Sequence, residues 1–329
     1  MTMPSQSAES GVDLRTSFTS MASQVRFWVH RPNARAEELA ARAQGIFESV
    51  ASSCTRFDPS SALMRANSAG NNWAVVPTEC FEALSTAYEA HRVTAGIFDP
   101  RTLRPLTALG YAATLPFEGA LNGAEPISVS SSPDAPKVQR LRPWKPKFDP
   151  ARYAVRVGDE PIDLGGIGKG LAVRWSSDVL RDAGKSVLVE AGGDVMALGG
   201  GPNEDGWMIS VESPMGGPDP VAVLQLTDRA VATSSIRIRS WRVDGEDVHH
   251  IIDPRTGRSA QSFLRSVTVV HDDPAYAEVW SKSLFIAGRS EIRKMSDDKG
   301  LAALWVDVDG RVTTSRAMRP YVAWQVSDV

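Results

Sequence analysis

The chain has 329 residues, of which 42% are hydrophobic and 23% charged, with a formal net charge of −3. That length suits two domains or one elaborated α+β unit, and the composition is that of a globular chain with a real core. The slightly negative balance excludes any general attraction to nucleic acid or to an anionic membrane, so a phosphorylated ligand needs positive potential supplied locally.

Cys54 and Cys80 are the only cysteines. With no Cys-x-x-Cys pair, neither a disulfide framework nor a zinc site is expected. Residues 1–20 are polar and lack a basic start followed by an apolar stretch. They read as a flexible tail ahead of a domain over 21–329. No run of about 18 apolar residues occurs, so no membrane insertion is expected. A cytoplasmic protein is the expectation.

In chain order, Gln24–His30 alternates as a strand, and Ala34–Ser53 has helical spacing. Arg56–Asn67 (RFDPSSALMRAN) is turn-rich. Thr78–Val93 reads as a helix with Thr78 as N-cap and an apolar stripe of Phe81, Leu84, Ala87 and Tyr88. A Gly-Ile-Phe-Asp-Pro turn ends at Pro100. Residues 115–150 are rich in Pro, Ser, Ala and Gly and read as a loop-rich excursion, its WKPKF patch an exposed loop. Short strands are expected at Tyr153–Val157 and Pro161–Leu164, then a helix over Gly170–Ala183 and a strand at Ser186–Glu190. Further strands fall at Trp207–Glu212, Val221–Leu226 and Val267–Val270. A helix over Pro274–Ala287 and a hairpin through Asp309-Gly310 complete the pattern. Strands and helices interleave with no regular βαβ repeat, which points to an α+β fold with mixed or antiparallel sheets and packed helices.

Three segments carry chemistry. DLGGIGKG, Asp163 to Gly170, places a glycine cluster and Lys169 at a helix start. Glycines admit close backbone approach, and a helix N-terminus adds roughly half a positive charge, so the segment suits a diphosphate. A tight turn with a solvated lysine fits the same residues. AGGD, Ala191 to Asp194, ends a buried strand with an acceptor carboxylate, or forms a β-turn with a capping Asp. Thr233, Ser234 and Ser235 align hydroxyls, and His250 precedes Asp253 by three residues. A histidine there suits general acid/base work or lies beside a capped turn. No G-x-S-x-G elbow is present, which argues against a serine hydrolase.

RFDPSSALMRAN, GIFDP, DLGGIGKGLAV, AGGDV, ATSS and HHIIDPRTG, in that order, resemble the ApbE family of FAD:protein FMN transferases from about Met21 to Gly288. The resemblance implies an ApbE-like, T-fold-like architecture, as one unit or two intertwined subdomains. It implies FAD and Mg²⁺, cleavage of the FAD pyrophosphate, and attachment of FMN to a Thr or Ser of an acceptor flavoprotein. FAD-binding positions would be Met21, Gly165, Gly166, Lys169, Gly192, Gly193, Asp194, Thr233, Ser234, His250, Ile252 and Thr256. His250 would be the base and Lys169 the phosphate electrostatics. The metal positions would be the Gly168 carbonyl, Glu278 and residue 282.

Three segments depart from the family pattern. Met21-Ala22-Ser23 stands for Met-Gly-Thr, Ala62 for an acidic residue, and Lys282 for a ligating Thr. Lysine only donates and repels a cation. Lys282 therefore either salt-bridges Glu278 across one helical turn or stands in for the metal.

Overall fold

The computed structural model describes residues 12–113, 127–129 and 143–326. Its centre is an eight-stranded sheet whose spatial order follows the chain. The strands are Leu14–Ser20, Ser23–Pro32, Gly184–Ala191, Asp194–Leu198, Arg229–Ser235, Leu264–His271, Ala302–Asp307 and Val312–Thr314. Every neighbouring pair is antiparallel. Strands covered on both faces read as continuous apolar runs, and Asp194–Leu198 and Ala302–Asp307 are buried throughout.

One face of the sheet carries helices α1 (Ala36–Ser53), α5 (Gly168–Leu180) and α6 (Pro274–Lys299). Val25, Phe27 and Val29 point there, against Leu39, Ala43 and Phe47 of α1. The other face is covered by a three-stranded sheet of Val322–Gln325, Ala222–Leu226 and Trp207–Val211. Helices α2 (Ala62–Ala69) and α3 (Thr78–Val93) form a second core with Leu171, Ala275 and Val279, at the ends of α5 and α6. Helix α4 (Leu103–Ala108) follows the Pro100 turn. This arrangement is the expected α+β fold with antiparallel sheets.

Several expectations change. The tail does not run to residue 20: Leu14–Ser20 is an edge strand, paired Leu14↔Val29 and Phe18↔Val25. Only Leu14 and Phe18 are large and apolar in it, so it read as polar. Yet Phe18 lies 5.4 Å from Phe27 and 5.7 Å from Phe47, ring to ring. Residues 161–164 pair with no strand; Ile162 and Asp163 donate their amides to Asn67 Oδ1 and to Pro100 O instead. Helix α3 is capped by Pro77 with no side-chain hydrogen bond, not by Thr78. Helix α6 breaks at Gly288 (φ 77°) and resumes to Lys299, because the break packs against Ser262. Within WKPKF, Trp144 is buried and donates to Val157 O at 2.9 Å, while Lys145 and Lys147 are exposed. Ser128–Val129 pairs with Ser240–Val243, and Lys147–Asp149 with Ala154–Arg156. The rest of the 115–150 excursion lies outside the described residues.

Candidate active site

The glycine loop ends where two helices nearly touch. A Cβ on Gly170 would lie 2.6 Å from Ala275 Cα and 2.7 Å from Pro274 O, so α5 meets the start of α6 backbone to backbone. That approach brings Glu278 of α6 to α5, where its Oε2 accepts from the Gly170 amide at 2.9 Å. On the other side of the loop, the Gly165 amide donates to Asp163 Oδ1. Asp163 Oδ2 is held at 2.8 Å by Arg56, both side chains buried. A Cβ on Gly166 would meet Phe98 at 3.1 Å and the Lys282 stem at 3.4 Å. The Lys282 stem thus lies across the loop at van der Waals distance from that position, and Phe98 is the neighbour that crowds it.

Four charges meet at the loop, the carboxylates of Asp194 and Glu278 buried and the ammoniums of Lys169 and Lys282 partly buried. Lys169 is ion-paired with Asp194 and lies 3.1 Å from Glu278 Oε1, and Lys282 Nζ lies 3.0 Å from the same oxygen. Burial would raise the Glu278 carboxyl, but Lys169, Lys282 and the Gly170 amide overcome it and hold it at about 2. Burial pushes Asp194 up to about 6 against the pull of Lys169, with the Glu278 charge adding to the rise. Burial works against the Lys169 ammonium, yet the two carboxylates raise its pKa and keep it charged. Lys169 lines the cavity as expected, but it is engaged by two carboxylates rather than free for a phosphate.

His250 lies in the opposite wall, its Nδ1 3.2 Å from the Arg239 carbonyl oxygen. A carbonyl only accepts, so in the neutral ring Nδ1 carries the hydrogen and Nε2 keeps its lone pair. Burial, then the positive charges of Arg239 and Lys282, hold the ring well below its ordinary pKa. It is neutral at physiological pH and able to accept a proton. In the following DPRTG turn Asp253 accepts from the Arg255 amide and guanidinium, and Gly257 N–H closes on Asp253 O at 2.7 Å. Ile252, just ahead of it, lines the cavity.

Sequence reasoning passed over several lining residues. Arg239 faces the cavity and makes no ion pair with any described residue. The Arg56 guanidinium lies over both Phe57 and Tyr111, 4.2 and 4.4 Å from their ring centroids. Together with Leu106 and Ile286, these rings make an apolar, aromatic wall. Arg56 and Phe57 open the RFDPSSALMRAN motif, but nothing local shows that they join residues of three other segments in one wall.

The Met21-Ala22 turn reaches the cavity with both residues left-handed, at φ 49° and 52°. Gly165, Gly166 and Gly168 are also in the lining. Other candidates are elsewhere. Gly192 and Gly193 form the left-handed turn of a hairpin beside Ser23, outside the cavity lining. Asp194 is buried behind Lys169. Thr233 pairs with Thr268, Ser234 with Ser281, and Thr256 with the Asp253 carbonyl.

A family model described as the ApbE family matches residues 19–305. The chain belongs to the ApbE family. The FAD:protein FMN transferase of Salmonella typhimurium is 25% identical over 304 residues, covering 89% of this chain and 84% of that protein. The crystal structure of the ApbE protein of Thermotoga maritima superposes with a TM-score of 0.78 at 26% identity, over 94% of this chain and 99% of that one. The flavin transferase ApbE of Vibrio cholerae shares the fold, with a TM-score of 0.73 at 19% identity over 94% of this chain and 99% of that one.

The Mg²⁺ that the ApbE resemblance implies does not fit the donors present here. Oxygen ligands are what Mg²⁺ needs. Both oxygens of Glu278 already accept hydrogen bonds, and the ammonium at residue 282 has no lone pair to offer. Among the described residues no three His, Cys, Asp or Glu side chains gather into a metal-binding group. No described helix is long and apolar enough to cross a membrane.

Proposed function

We propose that this ApbE-family protein is a cytoplasmic FAD:protein FMN transferase acting on a Thr or Ser hydroxyl of a target flavoprotein. The observation that carries the reading is a neutral, cavity-lining His250 with Nε2 free, in the same cavity as the glycine loop and its cations. The aromatic wall of Phe57 and Tyr111 takes the flavin ring, and the loop takes the diphosphate.

In the transfer step the acceptor hydroxyl oxygen attacks the phosphorus of the FMN half. A new P–O ester bond forms, and the bond from that phosphorus to the bridging oxygen breaks. AMP leaves with the bonding electron pair, and the hydroxyl proton passes to His250 Nε2. Arg239 and Lys282 hold positive charge near the phosphates, where negative charge must be balanced as the bridge opens. The diphosphate also offsets the two cations that depress His250, so substrate raises the basicity of the group it needs.

The test is incubation with FAD and a flavoprotein fragment bearing an acceptor Thr, followed by mass spectrometry. A fragment heavier by FMN less one water is the expected product, and His250→Ala removes it while FAD still binds. Free FMN and AMP without a modified fragment would mean hydrolysis. Unchanged FAD across several fragments would mean a flavin-binding protein and refute transfer.

A further inference from the structure

We infer that the Lys282 ammonium takes the place of a divalent cation beside the diphosphate, so that this chain binds FAD without a metal. The inference rests on the FAD reading above and goes beyond it to the ionic requirement of the site. Its first support is position. Residues four apart share a helix face, and Glu278 and Lys282 both turn toward the glycine loop. Lys282 extends over Gly166, its stem packed against the glycine loop. Its amino group is fixed by Glu278 Oε1 and lines the cavity.

The second support is the state of the acid. Glu278 is 1% exposed and has both oxygens committed, Oε1 to two ammoniums and Oε2 to the Gly170 amide. An incoming cation would have to displace Lys282 from that oxygen, and the displaced ammonium would remain beside it. A divalent cation would add two more positive charges beside an oxygen that already carries the Lys169 and Lys282 ammoniums, and one carboxylate does not offset that repulsion.

The third support is the charge balance. Lys169 and Lys282 are matched by Asp194 and Glu278, which makes a closed neutral set. Arg239 adds a positive charge that no described acid matches. The depressed proton affinity of His250 reports the same field, since Arg239 and Lys282 both contribute to it. With one N–H on Glu278, the Lys282 ammonium keeps up to two donors for phosphate oxygens and cannot be removed by a chelator. It supplies charge and hydrogen bonds but no Lewis acidity, so the burden of the bond-breaking step falls on the protein's own cations.

The experiment is titration of the full chain, metal content checked by elemental analysis, with FAD by calorimetry in excess EDTA and again in excess Mg²⁺. The two dissociation constants are expected to agree within about twofold. Lys282→Thr is expected to lose about tenfold or more in EDTA and to recover part of it in Mg²⁺, whereas Lys282→Arg keeps metal-free binding. Wild-type binding that disappears in EDTA and returns with Mg²⁺ overturns the substitution while leaving the flavin reading intact. Absence of FAD binding under both conditions overturns the flavin reading itself, and the inference with it.

Discussion

Gly170→Ala tests the contact on which the site is built. The new methyl would sit 2.6 Å from Ala275 Cα and 2.9 Å from Ala275 N, backbone atoms that cannot rotate away. Carbon atoms settle at about 3.5–4.0 Å, so α5 and α6 must separate by about 1 Å. Overpacking of that kind costs about 1–3 kcal/mol. The Gly170 amide bond to the Glu278 carboxylate lengthens with the same movement, and a hydrogen bond to a charged group is worth about 1.5–3 kcal/mol. Alanine returns about 1 kcal/mol of helix propensity. The net expectation is a loss of about 3 kcal/mol, read as a lower urea midpoint by circular dichroism with an unchanged slope. Gly168→Ala is the control, two residues away in the same turn: nothing lies within 4 Å of its added methyl. It should be neutral or stabilising by up to about 1 kcal/mol. Because the movement also carries Glu278 and Lys282 off the loop, FAD affinity should fall for Gly170→Ala. A Gly170→Ala protein as stable as Gly168→Ala would refute the backbone contact between the helices.

Four further outcomes are expected. Ala22→Gly relieves a left-handed alanine at φ 52° and should raise stability by about 0.5–1 kcal/mol in the same urea assay; a loss would show that the alanine is unstrained there. Ser61→Ala removes a buried cap that accepts from Met64 N at 3.1 Å and donates to Thr55 O at 2.6 Å, so about 1–3 kcal/mol should disappear; an unchanged midpoint would mean the cap contributes nothing. His249, lowered to about 4 by burial, stays neutral when folded, whereas the unfolded chain takes up a proton as pH falls below about 6.5. Its contribution is therefore whole above that pH and shrinks by up to about 3 kcal/mol as pH drops toward 4; His249→Gln should flatten the slope. His250 adds to that acid loss in the same direction. In transfer kinetics, the acid limb should lie at higher pH in kcat than in kcat/KM, because bound diphosphate offsets the cations facing His250. Identical limbs would show that the substrate charge does not reach the ring.

Much of this protein was legible from the residues alone because its signals are local. The Thr78–Val93 helix lies as its periodicity requires, and the late hairpin turns at its glycine, Gly310, at φ 84°. The glycine loop, Lys169 and His250 were found by type and spacing and residue 282 through the family resemblance, and the structure gathers them around one cavity. The ordered set of motifs also pointed to the ApbE family, to which the chain belongs.

What the tertiary structure alone decided is how those residues divide the charge. Sequence spacing allowed a solvated Glu278–Lys282 pair on a helix surface; only the crossing of α5 and α6 at Gly170 buries it and adds Lys169 and Asp194. Thr233, Ser234 and the Gly192-Gly193 pair look equally eligible in the sequence, and the sheet turns them to partners of their own. Arg239 had no local mark, and the RFDPSSALMRAN motif did not show that Arg56 and Phe57 meet Tyr111 in the cavity wall, since such walls form from segments far apart in the chain. Spacing along a chain fixes which residues share one helix face or strand face. Which faces meet, and how much water is left between them, depends on packing across the whole fold, and that sets whether Lys169 faces a phosphate or a carboxylate.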